Sequence, residues 1–134
     1  MTEMAANSFF LSSLGVLAAG IFLLSLGLSS LIRPADTQRF LASIASSARA
    51  HFVEMFARLA LGAAFISAAP RLKFAALFVV FGWVLVATTL VLLAVPWKWH
   101  RRFASWSVPI ATRNMALFAI GPVAGGIVVL YALL

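Results

Sequence analysis

Four apolar runs decide what this chain can fold into. They lie at 9–32, 50–69, 74–95 and 115–134. Each is long enough for the roughly 20 residues of helix that cross a bilayer. A spanning backbone must satisfy its own polar groups, so runs of this length fold as helices. The segments between them are too short to bury a separate core, since domains below about 40 residues rarely fold unaided. Of the 134 residues only 10% are charged and 64% are hydrophobic, whereas soluble domains carry about a quarter charged residues. The expected fold is therefore an all-α integral membrane protein. It has one domain of four transmembrane helices in two antiparallel hairpins, with short interfacial helices in the cytoplasmic loops at about 36–49 and 97–111.

The first run is expected to be retained. The residues before it, "MTEMAANS", carry Glu3 and no Lys or Arg, and the run outlasts the apolar stretch of a secretory signal. The connection before the third run, "PRLK", is so short that the second and third spans must form a tight hairpin. Pro70 suits the turn after a helix end. In the first loop, Asp36 or Thr37 is the expected helix N-cap.

Basic residues set the orientation. Arg33, Arg39 and Arg49 lie in the first loop and Lys98, Arg101, Arg102 and Arg113 in the third, against Arg71 and Lys73 in the second. With four spans the first and third loops share a side, and the excess marks it as cytoplasmic. The expected location is a bacterial inner membrane, crossed several times, with both termini outside. The net charge of +7 then reads as topology signals and contacts with anionic lipid headgroups, not as a nucleic-acid footprint. In "PWKWHRRFASWSVPIATRN", Trp97, Trp99 and Trp106 interleave with Lys98, Arg101 and Arg102. This is the pattern of an aromatic and basic belt at the headgroups.

The polar exception is "HFVEMFAR" at the start of the second span. His51, Glu54 and Arg58 are spaced three and four apart and share a helix face. Glu54 precedes Arg58 by four residues, the favourable order for a pair on one helix. A lone charge at the centre of a membrane helix is unfavourable by about 2.5–3.5 kcal/mol. The stripe must therefore face protein or water. It is expected either to fix the second span in register or to bind or relay a proton, a cation or an anionic group. Thr88 and Thr89 of the third span, with Ser12, Ser13 and Ser25 of the first, are the nearest polar options to face it. His51 and His100 are the only histidines and fall at the same rim. Two neutral imidazoles could ligate a haem iron or a metal, but an interfacial placement is the expected one, and no cofactor is called for.

A second face of the same span carries Ala57, Ala60, Ala64 and Ala68. The last span carries Gly121 and Gly125, with Pro122 between them as an expected kink. The first span carries Gly15 with Ala19 and Gly20 with Gly27. Such small-residue surfaces let helices approach closely. A faint echo joins the two cytoplasmic loops, "RFLAS" after Pro34 and "RFAS" after Pro96. Duplication would give a parallel repeat about the membrane normal, although two loops meeting the same interface also explains it.

The chain has no cysteine, so disulfides and thiol chemistry are excluded. It shows no paired carboxylates, no serine–histidine–acid constellation and no phosphate loop; an enzyme is not expected. The leading expectation is a small membrane protein that acts by association, as an accessory or assembly subunit or as a homo-oligomer. The alternative is a small transporter or channel for protons, ions or a solute, lined by the polar stripe.

Overall fold

The computed structural model describes residues 2–134. It is all-helical, in the order α1 (Thr2–Ile32), α2 (Pro34–Ile44), α3 (Ala48–Ala68), a 3₁₀ turn (Ala69–Arg71), α4 (Ala75–Ala94), α5 (Trp97–Ala111) and α6 (Met115–Ala132). Four helices are long and apolar enough to cross a membrane: Ala6–Ile32, Ala48–Arg71, Ala75–Ala94 and Met115–Ala132. The chain thus has the make-up of a multi-pass membrane protein.

Caps explain where two spans begin. Ser47 accepts from the backbone N–H of Ala50 and opens α3, and Asn114 accepts from Leu117 and opens α6. α2 starts earlier than its sequence suggests. Arg33 is the N-cap and Pro34 the first helical residue, so Asp36 lies in the first turn and not at the cap. Proline at that position sets the helical φ and forfeits an N–H that would have had no partner. Asp36 instead pairs with Arg39, while the Thr37 hydroxyl donates to the Arg33 carbonyl. The α3–α4 turn places Phe74 at a φ of 62°. That left-handed conformation is unfavourable for a side chain with a Cβ by about 1–2 kcal/mol. α6 remains helical through Pro122.

The spans associate as two antiparallel pairs, α1 with α6 and α3 with α4, joined by contact between α1 and α3. α4 and α6 do not pack along their lengths, so the second expected hairpin is replaced by the α1–α6 pair. Glycine is the reason. A Cβ at Gly126 would lie 2.9 Å from the Leu24 backbone N and 3.0 Å from the Gly20 carbonyl oxygen. A Cβ at Gly82 would lie 2.9 Å from the Gly62 carbonyl oxygen. Each pair is thus a glycine-to-glycine crossing in which the two backbones touch. The interval from Gly20 to Gly82 nearly equals that from Gly62 to Gly126, and it matches the echo between the loops. Each half of the chain therefore lends its first span to the last span of the other half. Between the pairs, Gly15 meets Ala64: a Cβ there would come within 2.8 Å of the alanine Cβ.

The apolar core gathers Val16 and Ala19 of α1, Phe65 and Ala68 of α3, Phe78 of α4, and Val129 and Ala132 of α6. It sits toward the end that carries the α3–α4 turn. There Lys73 N–H donates to the Ala132 carbonyl at 3.1 Å, and the Phe74 and Tyr131 rings lie 6.3 Å apart. The short helices α2 and α5 pack together at the other end, where they also meet α3. Gln38 Nε2 donates to the Thr112 carbonyl and ties them.

Candidate functional site

The polar residues of α3 open the site. The buried side of this helix runs through His51, Met55, Gly62, Phe65 and Ala68. Glu54 and Arg58 fall on the same sector by helical spacing. Arg58 Nη1 lies 3.7 Å from Glu54 Oε1, with both side chains about a quarter exposed (28% and 21%). Two further contacts reach α4: Arg58 Nε donates to Thr89 Oγ1 at 3.0 Å, and Nη2 donates to Thr88 Oγ1 at 2.9 Å. Each hydroxyl passes its own proton back along α4, Thr88 to the Val84 carbonyl and Thr89 to the Leu85 carbonyl. Both oxygens are thereby fixed as acceptors for the guanidinium. Thr89 is fully buried. Of the five hydroxyl side chains anticipated from the sequence, the two threonines face the stripe, while Ser12 bonds back to the Phe9 carbonyl.

α5 completes the site with His100. Trp97, His100, Ala104, Ser107 and Val108 are the half-buried positions of this helix. They recur at three and four residues, so they form one face. His100 Nδ1 lies 2.8 Å from His51 Nδ1, and its Nε2 lies 3.8 Å from Glu54 Oε2. His51 is 1% exposed. Glu54 Oε2 is buried and, among the described residues, has no hydrogen-bond partner; the His100 ring is the basic group that faces it. Burial foremost, and then the positive charge of Arg58, holds the His100 imidazole below its ordinary pKa. One ring nitrogen of the pair must donate and the other accept, so the geometry favours two neutral rings or one imidazolium beside a neutral ring.

Helical spacing groups His51, Glu54 and Arg58 on one face and leaves His100 as a rim residue, whereas the structure sets His100 against His51 and Glu54. A signal was present, since the chain's only two histidines fall at one rim. What sequence could not supply is the fold-back of α5 onto α3. Among the described residues no group of three or more His, Cys, Asp or Glu is placed to hold a metal ion.

The remaining candidates are dispersed. Lys98, Trp99, Arg101, Arg102 and Trp106 are exposed on α5, and Trp97 is half-buried. Arg101 borders a groove of about 280 Å³ between α2 and α5, with Ser46, Ser105 and Pro109 among its walls. The alanine ridge of α3 divides: Ala68 is buried and Ala64 meets α1, while Ala57 and Ala60 are exposed. On α6 the packed glycine is Gly126. A Cβ at Gly125 would keep an ordinary distance from Leu23, and one at Gly121 would meet nothing beyond its own helix within 4 Å. Compared with known protein families, curated proteins and solved structures, the chain finds no match.

Proposed function

We propose that this chain is a small protein of a bacterial inner membrane that acts by association, as an accessory or assembly subunit of a membrane complex or as a homo-oligomer. In this reading both termini face outside. α2 and α5 lie on the inner leaflet, and Trp99, Trp106, Lys98, Arg101 and Arg102 sit among anionic headgroups. The observation that carries the proposal is the apolar layer that follows the polar stripe. The polar side chains run from His51 to the level of Arg58, Thr88 and Thr89. Beyond them Val16, Phe65, Phe78 and Val129 fill the space between the spans. A single copy therefore presents a one-sided polar site over an apolar plug, which suits holding and contact better than passage. The faces of α4 and α6 turned away from their partners are apolar and available to another protein.

Native mass spectrometry from lipid nanodiscs, together with cross-linking in native membranes, tests this. A stable higher-order species or a recurrent partner is expected. A lone monomer in both settings overturns the proposal.

A second reading, transport of protons or ions along the His51, Glu54 and Arg58 stripe, is favoured by the contact of His100 with Glu54. Flux into proteoliposomes, compared between the wild type and Glu54→Gln, decides it. A flux abolished by Glu54→Gln supports transport, and absent or unchanged flux removes it.

A further inference from the structure

We propose that His51, His100 and Glu54 form a proton-binding site in which the second proton taken up by the imidazole pair releases α5 from α3. The proposal goes beyond the association reading and needs neither flux nor a partner.

The geometry fixes the proton positions. His100 turns its Nε2 toward the Glu54 carboxylate and its Nδ1 toward His51. A carboxylate only accepts, so the proton of a neutral His100 belongs on Nε2, where it faces Glu54. The His100 Nδ1 then carries a lone pair. The contact of 2.8 Å between the two Nδ1 atoms requires His51 to donate from Nδ1, leaving its Nε2 unprotonated. The rest state is thus a chain of defined polarity, His51 Nδ1–H to His100 Nδ1, and His100 Nε2–H toward Glu54.

Two protons have different consequences. The first adds to His51 Nε2, or to Glu54, and leaves the contact between the rings intact. Once His51 carries both of its protons, the second proton added to the pair must go to His100 Nδ1, the atom that accepts the hydrogen bond. Both Nδ1 atoms then carry hydrogen, and two imidazolium rings face one another at an enclosed contact. The hydrogen bond is lost and like charges repel.

The charged groups around the pair are few. α3 contributes Glu54, which attracts the added protons, and Arg58, which opposes them. α5 carries Lys98, Arg101 and Arg102, all exposed. On α2, Asp36 and Arg39 pair with each other. α4 brings only the hydroxyls of Thr88 and Thr89, which are committed to Arg58. The lowered pKa of His100 accords with a ring that resists the second proton until the medium is acidic. The responding element is weakly held: α5 buries no residue fully, and His100 gives it a hydrogen bond into α3.

The experiment uses the full chain in nanodiscs, labelled with [15N]histidine. Only two imidazoles report. Near neutral pH or above, one ring protonated at Nδ1 and the other at Nε2 are expected. In parallel, spin labels are placed on cysteines at Val53→Cys of α3 and Ile110→Cys of α5, in a chain with no native cysteine. Acidification is expected to deplete the short-distance population as the second ring becomes doubly protonated. His100→Gln, which cannot take up that proton, should lose this response. Two rings of the same tautomer in the neutral sample overturn the proposal. So does a wild-type distance indifferent to acid, or an equal acid response in His100→Gln. Should the glutamine variant fail to fold, the wild-type tautomers and distances still decide.

Discussion

At the residue scale, Arg58 of α3 is tolerable because three partners share its charge. Thr89→Val keeps the shape of the side chain and removes the acceptor of Arg58 Nε. A hydrogen bond to a charged group contributes about 1.5–3 kcal/mol, and partial exposure reduces this. A loss of about 1 kcal/mol is expected, measured by reversible unfolding in mixed micelles. Thr88→Val should lose less, because water can replace the exposed hydroxyl. The histidine pair gives stability a pH dependence of definite sign. His100 titrates below its ordinary value in the folded protein, so its contribution is complete above the ordinary imidazole pKa. It is lost as the pH falls toward the folded-state value. Melting temperature should therefore drop on mild acidification, and drop less in His100→Gln. Of these residues the helical repeat had grouped His51, Glu54 and Arg58. It could not reach His100, whose position depends on how a separate helix folds back.

At the element scale, glycine selects which helices become neighbours. Gly126→Ala places a methyl against the Leu24 backbone and the Gly20 carbonyl. Neither can move without parting α1 from α6, and overpacking of this kind destabilises by about 1–3 kcal/mol. Gly121→Ala meets nothing within 4 Å beyond its own helix, but a Cβ just before Pro122 is disfavoured in the helical conformation, so the helix-backbone gain is offset and the net change should be smaller than at Gly126. Thermal denaturation of the two variants side by side checks the contrast. The expected contact through Gly121 and Gly125 has the right spacing on the wrong face. One residue is about 100° of helix rotation, so Gly125, with Gly121 about one turn before it, points away from the direction of Gly126. Spacing reveals that a close approach is possible; the register of the partner chooses which glycine makes it. Caps obey local chemistry more simply. Ser47→Ala and Asn114→Ala should each cost about 1 kcal/mol, seen as fraying of the first turn of α3 or α6 by hydrogen exchange.

At the scale of the whole molecule, the short helices gather at one end and the α3–α4 turn stands at the other. The seven basic residues on and beside α2 and α5 outnumber Arg71 and Lys73 at the turn, which predicts the orientation. A cysteine at Ser105 should react with a membrane-impermeant maleimide in inverted vesicles and not in spheroplasts, and one at Lys73 should do the reverse. The opposite result would turn the protein over. Sequence by itself determined the four spans, because a lipid solvent demands long apolar helices whatever their neighbours. It also determined the polar face of α3, because the helical repeat is local. Only tertiary structure decided that α1 pairs with α6, that the alanine ridge is half used, and that His100 closes on His51. Those outcomes depend on which helix faces meet and at what register, and in a chain apolar nearly all round, hydrophobicity cannot distinguish one face from another.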